Sequence, residues 1–233
     1  MPPERHIGAV NWVGLGTLYG KECRRFFKVW LQTIVAPIIT SMLFLAVFAL
    51  AIGRSMPELG GVSFLQFMAP GLIVMAIMQN SFANTSSSLM ISKVQGNVVD
   101  VLMPPLSPGE LLIGFAFGGV SRGLTVALML SLVILPFVHL EVHNFGFLLL
   151  HALAASLMLS LLGLLTAIWA EKFDQLAAVT NFVVTPLAFL SGTFYSIDRL
   201  PEPLFTASKF NPFFYLIDGF RYLGTNPTVR TLI

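Results

Sequence analysis

The sequence predicts an all-α protein that crosses a membrane several times. Of its 233 residues, 56% are hydrophobic and only 10% are charged, whereas a soluble domain carries about 25% charged residues. The mean hydropathy is +0.83. The apolar runs are too long and continuous for the alternating ten-residue strands of a membrane β-barrel. The high apolar content and the low charge also exclude a water-soluble domain and a disordered chain.

Five apolar stretches are long enough to cross a bilayer, for which about 20 residues suffice. The predicted spans are about 31–53, 64–88, 109–138, 146–170 and 176–196. The third contains Arg122, and a charge at the bilayer centre costs a few kcal/mol or more. Its first half, Leu111–Ser121, is therefore expected to lie in the cytoplasmic headgroup zone or to face a wet cavity.

The distribution of Lys and Arg predicts a cytoplasmic N-terminus, because cytoplasmic loops carry the excess of basic residues. The basic residues before the first span are Arg5, Lys21, Arg24, Arg25 and Lys28. Through the loop after span 4, seven basic residues lie inside and one outside. The tail after span 5 adds four that five spans would place outside, which weakens the bias.

Residues 12–30 are predicted to form an amphipathic helix, and no cleavable signal peptide is expected before it. Its apolar face is formed by Trp12, Leu15, Tyr19, Cys23, Phe26 and Trp30, and its basic face by Lys21, Arg24, Arg25 and Lys28. This pattern predicts a helix in the inner headgroup layer, with basic groups toward anionic lipid. The alternative is a solvated basic stretch that only orients the first span. The lone Cys23 excludes an internal disulfide.

The inner half of the second span is unusually polar. It contains Gln79, Asn80, Asn84 and Thr85, and a lipid-facing helix would not carry so many polar groups. Two interpretations are equally favoured: these residues line a polar path, or they join helices through hydrogen bonds. Closely spaced glycines at 114, 118, 119 and 123 predict tight helix packing. Prolines at 37, 70 and 186 predict kinks.

A half-apolar segment, Val98–Met103, follows the second span and ends at a proline turn. Val98, Val101 and Leu102 have the spacing of one helical face, with Asp100 off that face. The loop has no soluble domain in this chain to pack on, so it is expected to lie on the membrane or to dock to a partner protein.

Residues 197–233 are too apolar for free water but are interrupted by charges. Short half-helices that dip into the outer leaflet would fit, with Asp218 and Arg221 paired at i,i+3.

Residues of a catalytic site are scarce. The segment His139–His143 holds two histidines and a glutamate, but polar residues in a short external turn explain it better than a metal site. No segment offers a nucleotide site, so if the protein pumps, the ATPase is another chain. The net charge of +2 implies no nucleic-acid partner.

Several motifs together resemble the ABC-2 type permeases, the membrane subunits of type V ABC exporters for drugs, nodulation factors and O-antigen. These are the basic amphipathic N-terminus, the loop Val98–Pro108, Ser191–Tyr195, and the stretch Asn211–Tyr222. The last is the most specific, and the resemblance covers almost the whole chain. It is closest to small stand-alone bacterial permeases that work with a separate ATPase.

The resemblance implies a permease dimer in the bacterial inner membrane, joined to two ATPase subunits that bind ATP and Mg. Residues 1–30 would form the cytoplasmic tail and interfacial helix, and 31–233 the transmembrane domain. Loop 89–107 would couple to the ATPase through Val98, Val99, Asp100, Val101, Leu102 and Met103. Segment 197–230 would close the exit through half-helices carrying Asn211, Pro212, Phe213, Tyr215, Asp218, Arg221 and Tyr222.

The family pattern has six spans and two cytoplasmic termini. Because the sequence stops at Ile233, where the sixth span would follow, the chain is expected to be truncated. Two other functions stay open at this stage: a secondary transporter or channel without an ATPase, and a membrane-embedded enzyme. The substrate cannot be predicted from the sequence.

Overall fold

A computed structural model describes residues 8–51, 53, 58–59, 62–140, 142, 144–197 and 200–224. These residues are almost all helical, which confirms the predicted all-α class. The helices are α1 (Trp12–Lys28), α2 (Ala36–Ala51), α3 (Phe64–Val94), α4 (Val98–Leu102), α5 (Pro108–Ile134), α6 (Phe145–Trp169), α7 (Phe173–Val179), α8 (Thr185–Phe189), α9 (Glu202–Lys209) and α10 (Pro212–Gly224). In the described part, two short strands, β1 (Glu58–Leu59) and β2 (Val62–Ser63), pair antiparallel, with Glu58 opposite Ser63.

Among the described residues, four helical segments are long and apolar enough to cross a membrane: Leu31–Ala51, α3, α5 and α6. The fifth apolar segment, Phe173–Phe189, is shorter and comprises α7, a π-helical turn and α8. Helix α5 continues without interruption past Arg122. Leu111–Ser121 and Arg122 therefore lie on one long apolar helix, and the headgroup position expected for Leu111–Ser121 stays a prediction.

Helix α3 is the centre of the fold. Most of its residues are buried, whereas Leu31–Ala51 is largely exposed, and α3 packs mainly against α5 and α6. Its N-terminus is fixed by a capping box in which Ser63 Oγ accepts from the Gln66 amide and the Gln66 side chain accepts from the Ser63 amide. Any site lined by α3 is therefore held on the most buried of the four long apolar segments.

The predicted tight packing along α5 is confirmed. A Cβ atom at Gly118 would lie 2.6 Å from Glu22 Cβ of α1, and one at Gly119 would lie 2.8 Å from Thr85 Cγ2 of α3. Helix α5 is thus sandwiched between α1 on one side and α3 and α6 on the other, because glycine lets helix backbones approach closely.

Two of the three predicted proline sites coincide with irregular helical turns. A π-helical turn at Leu31–Val35 immediately precedes α2 and Pro37, and another at Thr180–Val184 precedes Pro186. Such turns are common where the regular hydrogen-bond ladder is interrupted. Pro70 lies inside α3, which continues through it.

Candidate substrate cavity and platform

A cavity of about 490 Å³ lies among α2, α3, α5 and the α7–α8 segment. This volume is within the range of small-molecule sites, roughly 300–1,000 Å³. Both π-helical turns contribute lining residues. Polar side chains on its wall include Gln32, Thr40, Gln79, Asn80, Ser87 and Arg122.

The four polar residues predicted on the second span divide into two pairs. Gln79 and Asn80 line the cavity. Asn84 and Thr85 are fully buried and do not line it. Thr85 instead lies against Gly119 of α5 and Gly163 of α6. Asn84 joins helices through its hydrogen bond with Arg25, whereas Thr85 Oγ1 donates to carbonyls of α3 itself. The polar path past Gln79 and Asn80 stays a prediction.

Arg122 extends from α5 to the cavity wall. Its Nη2 donates to Asn80 Oδ1 at 3.1 Å. Its Nε is buried and has no hydrogen-bond partner among the described residues. Arg122 thus lines this cavity, whereas none of the residues Leu111–Ser121, for which a wet cavity was expected, does so.

A buried ionic cluster joins α1 to α3, and the sequence did not predict it. Arg25 Nη2 lies 3.3 Å from Glu22 Oε2 and donates to Asn84 Oδ1 at 2.9 Å. Arg25 Nη1 donates to Ser87 Oγ at 3.1 Å. Glu22 is fully buried and its Oε1 accepts from Ser88 Oγ at 2.6 Å.

The buried face of α1 differs from the predicted aromatic face. Leu18, Glu22 and Phe26 are buried at intervals of four residues, whereas Trp12 is 74% exposed. The prediction that Arg25 points to anionic lipid is wrong, because Arg25 binds the polar face of α3. The sequence did contain a sign of this contact. Glu22 and Arg25 have the i,i+3 spacing of a helical ion pair, and span 2 has a polar face that could bind them.

The loop after α3 forms the predicted short helix, α4, at Val98–Leu102. The expectation that its apolar face has no partner in the chain is wrong for Val101. Val101 packs against a cluster that includes Leu18 of α1 and Phe115 of α5. The exposed apolar residues are instead Val99, Leu102 and Met103, at 55%, 60% and 76% exposure. We call these three residues the exposed patch.

Hydrogen bonds attach this loop to α1 and α5. The Glu110 carboxylate accepts from the Asn11 amide and from the Ser107 amide, the latter at 2.6 Å. Asn11 Nδ2 donates to the Pro105 carbonyl at 3.1 Å. At the other end of the loop, Lys93 Nζ donates to the Ala170 carbonyl at 2.9 Å. The loop, α1 and the first turn of α5 therefore form one unit, the platform.

The predicted half-helices after the fifth apolar segment are present as α9 and α10. Asn211 Nδ2 donates to the Leu187 carbonyl at 2.7 Å, and its Oδ1 accepts from the Phe213 amide. Phe213, next to Pro212, is buried in the core, while Tyr215 is half exposed.

Arg221 fastens α10 to the rest of the bundle. It donates to the Phe67 and Gly192 carbonyls at 3.1 and 3.0 Å and lies over the Phe67 ring. The charge of nearby Asp218 attracts it. The side chain of Tyr222 is outside the described residues.

The His139–His143 segment is described only in part, since Glu141 and His143 lie outside the described residues. Among the residues that the structure does describe, no group of three or more His, Cys, Asp or Glu could hold a metal ion.

Comparison with known proteins identifies the family. The family model for ABC-2 type transporters matches residues 14–223. The chain belongs to the ABC-2 type transporter family. It is 39% identical to the inner membrane transport permease YadH of Escherichia coli K12, over 94% of this chain and 88% of YadH. It is 22% identical to nodulation protein J of Rhizobium leguminosarum bv. trifolii, over 92% of this chain and 81% of that protein. No solved structure matches.

Membership confirms the resemblance that the motifs indicated, including the Asn211–Tyr222 stretch, which lies wholly within the matched range. For an ABC-2 member with several apolar helices, multi-pass insertion in the inner membrane and a role in transport follow.

Proposed function

We propose that this chain is the permease subunit of an ATP-driven exporter and acts as a dimer with two copies of a separate ATPase, which bind ATP and Mg. The proposal places the N-terminus in the cytoplasm. Its main support is the exposed patch, which sits on a platform joined by hydrogen bonds and packing to the helices that border the cavity.

A continuous set of contacts leads from the platform to the cavity. Glu110 and Asn11 tie the loop to the start of α1. Further along α1, Arg25 holds Asn84 and Ser87 of α3, and Ser87 lines the cavity. A displacement of the loop by the closing ATPases would therefore be passed through α1 to the cavity wall. In this proposal the chain makes and breaks no covalent bond.

The coupling role of the loop predicts that acidic residues in the exposed patch prevent ATPase assembly. Leu102→Glu with Met103→Glu should reduce the ATPase recovered per permease at least tenfold, because a well-buried apolar anchor contributes about 2 kcal/mol or more. The tagged gene product is purified from its own cells, bound ATPase is identified by mass spectrometry, and ATP hydrolysis is measured.

Val142→Glu is the matched control. Val142 is similarly exposed, at 52%, but lies in the turn between α5 and α6, far along the chain from α4. It should retain the ATPase. Full ATPase recovery with the patch variant would rule out coupling through these residues. Absence of an ATPase from the wild-type preparation would favour a secondary transporter, a channel or an enzyme.

The orientation predicts how Cys23, the only cysteine, reacts with a maleimide that cannot cross membranes. Cys23 should be labelled only after the cells are permeabilised. In a Cys23→Ser background, Phe210→Cys provides the opposite case, because Phe210 is 84% exposed between α9 and α10. It should be labelled in intact spheroplasts. Prompt labelling of Cys23 from outside would contradict the orientation.

A further inference from the structure

The cavity wall is positively charged. Arg122 lines it, and no Asp or Glu does so among the described residues. Arg25 lies beside it, since Asn84 and Asn80, which bind Arg25 and Arg122, are one turn apart on α3. The carboxylate of Glu22 offsets one of the two charges.

Arg122 has hydrogen-bonding capacity left over. Its one hydrogen bond in the described structure is to a neutral amide oxygen, and its buried Nε is unpartnered. Arg122 as a whole is half-buried, and a largely desolvated cation without a counterion is unfavourable, so an anionic ligand would offset that cost. Ser86 Oγ, on the same wall, is also buried and unpartnered.

The wall also has apolar side chains, among them Phe44, Leu72, Met75, Phe82 and Val184, beside the polar ones. The cavity therefore offers Arg122 to an anionic group and apolar side chains to a hydrocarbon part.

We propose that this cavity binds an amphiphile whose phosphate, sulfate or carboxylate group pairs with Arg122, and that such anionic amphiphiles are the substrate class. The assignment of the amphiphile as substrate rests on the proposed export function, whereas its binding does not.

Binding is measured on the purified gene product in phosphatidylcholine nanodiscs, with decyl phosphate as the probe. Decyltrimethylammonium tests the sign of the charge, and inorganic phosphate tests whether the alkyl chain is needed. Nanodiscs that contain phosphatidylglycerol test whether a lipid headgroup occupies the same site, in which case decyl phosphate should bind more weakly there.

Arg122→Gln should weaken decyl phosphate binding about tenfold or more, because a charge-assisted hydrogen bond is lost. It should leave decyltrimethylammonium binding unchanged. Arg24→Gln is the control, because it removes one positive charge at an exposed position of α1 that is away from the cavity. It should bind decyl phosphate like the wild type.

Asn80→Asp gives a second test that keeps the guanidinium in place. The new carboxylate takes the position of the amide oxygen 3.1 Å from Arg122 Nη2 and supplies an internal counterion. It should abolish decyl phosphate binding without lowering the unfolding temperature. This variant decides the question if Arg122→Gln does not fold.

Equal binding of both charged probes by the wild type, or unchanged decyl phosphate binding by Asn80→Asp, would overturn the proposal. Neither result depends on the ATPase. If the wild type binds no decyl phosphate but still co-purifies with an ATPase, only the anionic ligand is refuted. If it binds decyl phosphate but no ATPase co-purifies with it, only ATP-driven export is refuted.

Discussion

Replacing Glu22 with glutamine is expected to lower the unfolding temperature in detergent by roughly 5–10 °C. Glu22 is fully buried and supplies the carboxylate that contacts Arg25. Removing one partner of a buried pair costs about 3–5 kcal/mol. The Arg25 side chain keeps 26% exposure, so water partly screens its charge. We therefore expect the free energy of unfolding to fall by an amount near or just below the lower end of that range. The hydrogen bond with Ser88 can persist in the variant, so the lost charge dominates the effect.

The control for this prediction is Glu171→Gln, at an exposed position after α6, which should change stability by less than about 0.5 kcal/mol. An unfolding temperature of Glu22→Gln equal to that of the wild type would contradict the ionic role of Glu22.

The sequence predicted the membrane helices well because the rule behind them is local. Charged groups are excluded from the bilayer centre, so uncharged runs mark the apolar segments that became α3 and α6. Glycine spacing likewise predicted the close packing of α5, since a missing side chain is visible without knowledge of its partner.

Pairings between distant segments could not be predicted in the same way. Periodicity placed Arg25 on the basic face of an interfacial helix and gave no position for Glu22. The placement of Arg25 toward lipid is correct only if lipid or water surrounds that face. The partner is the polar face of α3, about 60 residues further along the chain. A polar residue on a helix therefore shows that a polar environment is needed, and the tertiary fold decides whether water, lipid or protein provides it.

The same reason explains the loop after α3. Spacing correctly predicted a short helix, but which apolar side chains stay free depends on α1 and α5, against which Val101 packs. In span 2, likewise, Asn80 and Asn84 are one turn apart and chemically identical. One lines the cavity and the other binds Arg25 because different helices face them.

Replacing Gly163 with alanine is expected to destabilise the bundle by about 2–3 kcal/mol, near the upper end for overpacking. Gly163 lies on α6 where it crosses α3. A Cβ atom there would lie 2.6 Å from the Phe82 carbonyl oxygen and would also overlap Thr85 Oγ1. A backbone atom cannot rotate away, so the two helices must separate. Since Phe82 lines the cavity, the separation should alter ligand binding as well as stability.

Two further variants test the mechanism of this effect. Gly20→Ala on α1 adds the same methyl group in open space and should stabilise by roughly 0.5–1 kcal/mol through helix propensity. Thr85→Ala in the Gly163→Ala background removes the side-chain overlap but leaves the Phe82 carbonyl in place, so rescue should be incomplete. Thermal unfolding followed by circular dichroism measures all three. Full rescue by Thr85→Ala would show that the Thr85 side chain sets the distance between the helices. A Gly163→Ala protein as stable as the wild type would show that α3 and α6 are not in backbone contact at this position.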